Sequence, residues 1–421
     1  MTKGVWQALG PGLVFAAAAV GVSHLVQSTR AGAVYGFSLV GVVILANIIK
    51  YPAFRFGPQY AAATGTSLLE GYRRQGKWAL VLYSFITVAT MFIVQAAVTV
   101  VTAGLAIATL GLSVGPLVVS FGIIVVCAIL LTAGKYRLLD RVTKVLVALL
   151  TGATLTATAL AFTSMEWSAS SLVELPDLDK RTVFFVVALV GWMPSAIDVA
   201  VWQSLWTLAR REDSQHAPTL KESMFDFHLG YIGTAALALC FLTMGAGVMH
   251  GRGVKFADSA GGFAAQVIRL YTETLGEWSG PIIGVAAFAV MFSTTLTVLD
   301  GFPRALTTLM ARFKGPEEAG VFELKQKSQG RTYWAMLLLL AVGAMLVLFA
   351  FLTSLKAMVD VATTLSFLTA PILSVLNHRA VLGAEVPTES RPRPWLIWMS
   401  ILGIVCQGSF AAYYVYLRYF T

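Results

Sequence analysis

The chain has 421 residues, 57% of them hydrophobic and only 12% charged, with a formal net charge of +9. Soluble domains carry about 25% charged residues, so this composition excludes a water-covered surface and identifies lipid as the main solvent. The positive balance does not indicate nucleic acid, because Lys and Arg lie between apolar runs rather than along one face. Cys127, Cys240 and Cys406 all fall inside apolar runs, where they read as small buried hydrophobes rather than a disulfide framework.

A helix needs about 20 apolar residues to cross the hydrocarbon core, and a segment in lipid must satisfy its own backbone hydrogen bonds. The uncharged run from Gly4 to Thr29 opens the chain. Ala16 to Ala19 mimic a signal-cleavage site, but the run is too long for a signal sequence and reads as a first span. In chain order the apolar runs predict eleven spans: 10–35, 38–60, 79–108, 116–134, 142–163, 183–208, 228–250, 279–302, 333–353, 357–377 and 395–417. Gly111, Gly115 and Pro116 divide the long stretch 78–134 into two crossings. The connections 164–182, 251–278 and 303–332 are polar, and the last reads as a solvated loop.

Lys and Arg concentrate in alternate connections. One set holds Lys3, Arg55, Arg73, Arg74, Lys77, Lys135, Arg137, Arg141, Lys144 and most of the rest. The other holds only Lys180, Arg181, Arg252, Lys255, Arg269, Lys356 and Arg418. The positive-inside rule then predicts a multi-pass protein of the plasma (inner) membrane with a cytoplasmic N-terminus and an external C-terminus.

Two spans carry helix-breaking sequences near their midpoints: Gly21-Val22-Ser23-His24 in the first and Gly191-Trp192-Met193-Pro194-Ser195-Ala196 in the sixth. Unwound backbone at membrane depth is tolerated where it lines a cavity or is buried in protein. Breaks five spans apart predict an all-α, LeuT-type 5+5 inverted repeat with unwound helices 1 and 6. The first repeat is placed at about 10–163, the second at about 183–377, and an extra helix at 395–417. The predicted substrate site comprises Gly21, Val22, Ser23, His24, Met193, Pro194 and Ser195.

Ionisable groups inside spans are costly and mark function or pairing. His24 reads equally as a packed, hydrogen-bonded residue and as a functional one. Asp198, beyond Pro194, is a candidate cation ligand or proton carrier, and Asp360 is either functional or a favourable charge at a helix N-terminus. Arg30 suits snorkelling to the outer interface or attraction of an anion, and Lys50 is expected to snorkel inward. Asp300 and Arg304, one turn apart, predict an ion pair.

Gly10-Pro11-Gly12-Leu13, Tyr35-Gly36-Phe37-Ser38-Leu39, Asn47, Met193-Pro194, His250-Gly251 and Ser293-Thr294-Thr295 appear in the order and spacing of a known family. The chain resembles the natural resistance-associated macrophage protein (Nramp) family of proton-coupled divalent metal transporters. The resemblance runs over nearly the whole chain and implies a metal site at the two breaks. Where the family has Asp-Pro-Gly-Asn in the first span, this chain has Gly21, Val22, Ser23 and His24. In the sixth span Met193 is kept, while the family histidine and asparagine become Ser195 and Ala196. The third-span acidic pair is absent, with Met91 and Val94 in that region.

The resemblance therefore implies transport of a divalent cation through a rebuilt site, with His24 and Met193 as metal ligands and proton coupling through His24, Asp198 or Asp360. Loss of the family's acids equally suits another solute, an organic cation or amino acid, on the same scaffold. The expected partners are that small solute or cation, possible coupling protons and the lipid bilayer, with no nucleic acid and no cofactor. No nucleophile–base constellation suggests an enzyme.

Overall fold

In the computed structural model the described residues are 9–132, 136–164, 176–177, 179–251, 257, 259–317, 330–351 and 354–421. Among them the regular structure is entirely helical. The first span is α1 (Pro11–Ala19), a π-helical turn (Ser23–Ser28) and α2 (Thr29–Tyr35). Then follow α3 (Val40–Thr64), the short α4 (Leu68–Gln75), α5 (Lys77–Leu110), α6 (Pro116–Thr132) and α7 (Tyr136–Ser164). The second half runs through α8 (Lys180–Gly191), α9 (Val199–Ser214), α10 (Leu220–Met249), α11 (Ala260–Leu275) and α12 (Gly280–Lys314). It closes with α13 (Arg331–Phe351), α14 (Leu355–Val381) and α15 (Pro394–Tyr419).

Among the described residues seven helices are long and apolar enough to cross a membrane, and the α1–α2 pair, bent by 45°, makes an eighth span. The shorter α6, the apolar stretch Ala148–Thr163 of α7, and the α8–α9 pair occupy the remaining expected positions. The chain is thus an all-α membrane protein whose order of helices follows the expected spans.

The boundaries differ where helices outrun the hydrocarbon core. α12 continues to Lys314 instead of ending near 302, and α10 begins at Leu220 instead of 228. Charged residues end an apolar window but not a helix: Asp300 and Arg304 pair across one turn of α12 at 2.7 Å, and Tyr333 donates a 2.7 Å hydrogen bond to the same carboxylate. Two helices inside connections, α4 and α11, had no long apolar run to announce them.

The core lies where α5 packs on α12, α2 on α10, α3 on α9 and α14 on α8. Large apolar side chains remain exposed on the outside, among them Phe85, Leu338, Phe349 and Trp398. Lipid covers such a face at no cost. The helix ends facing other helices find polar partners. Asp226 of α10 accepts hydrogen bonds from the amides of Gly10 (3.0 Å) and Gly12 (2.5 Å), so a carboxylate sits at the positive end of α1. Asp179 caps α8 through the Thr182 amide, and Thr219 and Glu222 form a reciprocal capping box on α10.

At the ends of α4 and α12 a compact ionic cluster ties two connections together. Glu70 is fully buried and accepts from Arg73, Arg74 and the Glu317 amide. The Glu317 carboxylate accepts from the Ser67 amide and hydroxyl, and Arg312 lies 3.7 Å from Glu70 and 3.9 Å from Glu317. Burial pushes the Glu70 carboxyl up, but the Arg73, Glu317 and Arg74 hydrogen bonds outweigh it and hold the group below its ordinary value. For Glu317, burial prevails over Ser67 and Arg312 and holds the carboxyl above its ordinary value.

Candidate functional site

Both predicted breaks exist. α1 stops at Ala19, the Gly21 amide donates to the Ala19 carbonyl (2.8 Å), and the Gly21 carbonyl accepts from His24 (3.2 Å) and Leu25 (3.0 Å) before the wide turn begins. The Ser23 hydroxyl also hydrogen-bonds to the Ala19 carbonyl. Glycine is required at position 21 by close approach: a Cβ there would lie 2.8 Å from Thr294 Cγ2 of α12. In the sixth span α8 stops at Gly191, residues 192–198 are irregular, and α9 starts at Val199. A Cβ at Gly191 would lie 2.0 Å from the Thr363 carbonyl oxygen, so the end of α8 rests directly on the α14 backbone.

The two breaks meet at one cavity of about 40 Å³. Ala18, Val22 and Ser23 line it from the first span, and Trp192, Ser195, Ala196, Asp198, Val199 and Trp202 from the sixth. Val94 and Val98 of α5, with Thr294, Val298 and Phe302 of α12, complete the wall. Trp202 packs edge-on against Phe302 with ring centroids 4.7 Å apart. Asp198 is the acidic residue of this wall, and it is 3% exposed. Among the described residues no cation lies within ion-pair distance of its carboxylate, and Lys50 is the cation whose field reaches it.

Four of the residues singled out from sequence, Val22, Ser23, Ser195 and Asp198, therefore line one cavity; Gly21, His24, Met193, Pro194 and Asp360 do not. His24 is fully buried and turned toward α10. Its Nε2 donates to the Thr234 carbonyl at 2.9 Å, and Nδ1 lies 2.7 Å from Ser23 Oγ. Adjacent residues on a helical turn point in directions about 100° apart, so a cavity-facing Ser23 sends His24 to its neighbour. Met193 is fully buried in an apolar cluster with Leu189, Val186, Ala31 and Val43. The expected soft pair of His24 and Met193 is thus not assembled. Among the described residues no group of three or more His, Cys, Asp or Glu is placed to hold a metal ion.

Asp360 is engaged elsewhere. Arg30 binds it through two nitrogens at 2.7 and 3.3 Å, donates to Gln27 at 2.9 Å, and lies over the Phe185 ring. Arg30 is thus an anion partner rather than a snorkelling residue. Lys50 does not snorkel inward either. It is fully buried, and its Nζ donates to the Val190 (2.5 Å) and Gly191 (2.9 Å) carbonyls at the end of α8.

Sequence reasoning missed Trp192, Trp202 and Thr294 as wall residues. Trp202 lies four positions after Asp198, so helical spacing from the acid would have found it. Thr294 comes from a helix that no local pattern connects to the breaks.

A family model described as natural resistance-associated macrophage protein-like matches residues 12–416. The chain belongs to the Nramp family. An uncharacterised protein of Pasteurella multocida is 35% identical over 420 residues, covering 98% of this chain and 94% of its own. Among solved structures, the Eremococcus coleocola manganese transporter superposes on this Nramp-family chain with a TM-score of 0.72 at 11% identity, covering 97% of this chain and 86% of the other. MhsT in complex with L-phenylalanine follows at 0.63 and 13% identity, covering 97% and 98%. A sodium-coupled sialic acid symporter follows at 0.58 and 15%, covering 97% and 89%. At such identities these likenesses concern the fold, which is the LeuT type.

Proposed function

We propose that this Nramp-family transporter works by alternating access and carries a small organic solute bearing an ammonium group, held between the two helix breaks against Asp198. The observation that carries the reading is the shared cavity: Ala18, Val22 and Ser23 of the first break line it with Trp192, Ser195, Ala196, Asp198, Val199 and Trp202 of the second, and among the described residues its wall holds one buried carboxylate amid apolar and hydroxyl-bearing side chains. A divalent ion stripped of water needs several anionic or strongly dipolar ligands. This wall offers one, while Ser23, Ser195, Thr294 and the rings of Trp192 and Trp202 suit an organic body with a single positive head.

A cavity of about 40 Å³ holds only a few water molecules. Admission of an amine therefore requires the bundle carrying the two broken spans to rock against the rest. That bundle draws one broken span from each of the two repeats, at about 10–163 and 183–377, with 395–417 outside them. The charge pattern supports a cytoplasmic N-terminus and an external C-terminus.

The test is uptake into proteoliposomes containing the purified full chain, with radiolabelled monoamines, amino acids and manganese offered in parallel. Saturable uptake of an amine, lost in Asp198→Asn while the variant remains monodisperse, supports the proposal. Saturable manganese uptake with no amine flux returns the chain to the family's metal cargo and refutes it.

A further inference from the structure

Lys50 is the group that the transport site does not use and that burial alone does not explain. It stands on α3, is 0% exposed, and is among the largest fully buried side chains. Its two hydrogen bonds, at 2.5 and 2.9 Å, go to the carbonyls of Val190 and Gly191, the last residues of α8 before the chain unwinds. Among the described residues no carboxylate lies within 4.0 Å of the ammonium, and Asp198, farther off, is the acid whose field reaches it.

The last carbonyls of a helix have no partner within it and carry the negative end of its dipole. In a broken membrane helix these carbonyls form a position that attracts a cation, and in discontinuous transporter helices such ends coordinate one. Here the position is held in place from the other side: a Cβ at Gly191 would lie 2.0 Å from the Thr363 carbonyl, so α14 abuts the end of α8 without intervening side chains. The ammonium therefore meets a rigid pair of carbonyl oxygens at ligand-like distances, as a free cation would.

We propose that Lys50 is a built-in cation that fills a monovalent-cation position at the broken end of α8, so that this transporter needs no free sodium or potassium ion there. This rests on the reading of α8 and α9 as the halves of a broken transport helix, and it is independent of which solute is carried. Lys50 is a positioning residue: it touches the end of α8, and through it sets the Trp192–Asp198 segment that lines the cavity.

The test uses the purified full chain in nanodiscs and radioactive thallium(I) as the probe for a monovalent site. Wild-type protein should show no saturable thallium binding. Lys50→Ala, which takes the ammonium from both carbonyls and leaves room (the Val190 carbonyl keeps its 3.2 Å hydrogen bond from the Met193 amide), should gain a site competed by sodium or potassium. Lys50→Met, which fills the space without a charge, should not gain it. A folded Lys50→Ala that binds no more thallium than wild type overturns the proposal.

A second readout needs no thallium. Propylammonium chloride, the fragment removed by Lys50→Ala, should raise that variant's Tm and leave wild type unchanged, while the uncharged 1-propanol should raise the Tm of neither. If Lys50→Ala does not fold, wild type still decides. A Tm unchanged between choline, sodium and potassium chloride at equal ionic strength supports the proposal, and a sodium- or potassium-specific rise overturns it. None of these readouts involves uptake, so failure here is distinct from failure of the Asp198 experiment.

Discussion

Gly21→Ala tests the close approach that shapes the first break. The added Cβ would lie 2.8 Å from Thr294 Cγ2, 3.0 Å from its Oγ1 and 3.3 Å from its Cβ. Non-bonded carbons sit comfortably at about 3.5–4.0 Å, so α1 and α12 must separate by several tenths of an ångström or Thr294 must leave its rotamer. Overpacking of this kind costs about 1–3 kcal/mol. Thr294→Ala removes the two closest atoms but forfeits the hydrogen bond from Thr294 Oγ1 to the Ala17 carbonyl at 2.7 Å, worth about 0.5–1.5 kcal/mol.

The double variant Gly21→Ala/Thr294→Ala should therefore be more stable than the sum of the single losses, with a coupling of about 1–2 kcal/mol. Denaturation followed by tryptophan fluorescence in detergent gives the four corners of the cycle. Because independent sites add within about 0.3–0.5 kcal/mol, additivity at that level would refute the contact between the first break and α12. A Gly21→Ala variant as stable as wild type would do the same.

Three further outcomes follow from side-chain partners. His24→Ala should lower stability by about 1–3 kcal/mol, because it removes a second hydrogen bond to the Thr234 carbonyl and leaves a gap where a fully buried ring stood, yet leave the apparent KM of the folded fraction unchanged, because His24 faces α10 and not the cavity; a rise in KM of more than tenfold would contradict that placement. Asp360→Asn strips the buried Arg30 of its charge partner. Because Asp360 is 34% exposed, its loss should cost about 1–2 kcal/mol, less than the 3–5 typical of fully buried pairs, and Arg30→Met/Asp360→Asn should recover part of it in thermal unfolding. At the α4–α12 cluster, Glu70→Gln should destabilise at neutral pH while Glu317→Gln should be near neutral, since the protonated form of Glu317 is the better tolerated one. The signs differ on acidification. The Glu317 carboxyl lies above its ordinary value of 4.5, so its protonation adds stability as pH falls through that raised value toward 4.5. The Glu70 contribution is present above 4.5 and is lost only as pH falls through its depressed value. Wild-type Tm should rise as pH falls toward 4.5 and drop below it as Glu70 is protonated, and Glu317→Gln should abolish the rise.

Much of the architecture was readable from local pattern. Span number, order and breaks are properties of short windows: twenty apolar residues force a helix in lipid, and Gly21, Gly191 and Pro194 mark where helix hydrogen bonding lapses. The Asp300–Arg304 pair was legible for the same reason, because four residues of helix bring the two side chains together. α4 and α11 were not, since short amphipathic helices outside the hydrocarbon core leave no long apolar run.

The sequence by itself determined a many-spanned, lipid-embedded helical chain with two interrupted helices, because backbone satisfaction in hydrocarbon is a local demand. Only the tertiary structure decided which polar groups meet. Ser23 faces the cavity while His24, one residue on, faces Thr234. Asp198 stays in the wall while Asp360 is taken by Arg30. Lys50, which read as a snorkelling side chain on its own helix, finds the open end of another 140 positions away. Side-chain direction depends on how helices rotate and cross, and that rotation is set by packing between distant segments rather than by any window of sequence.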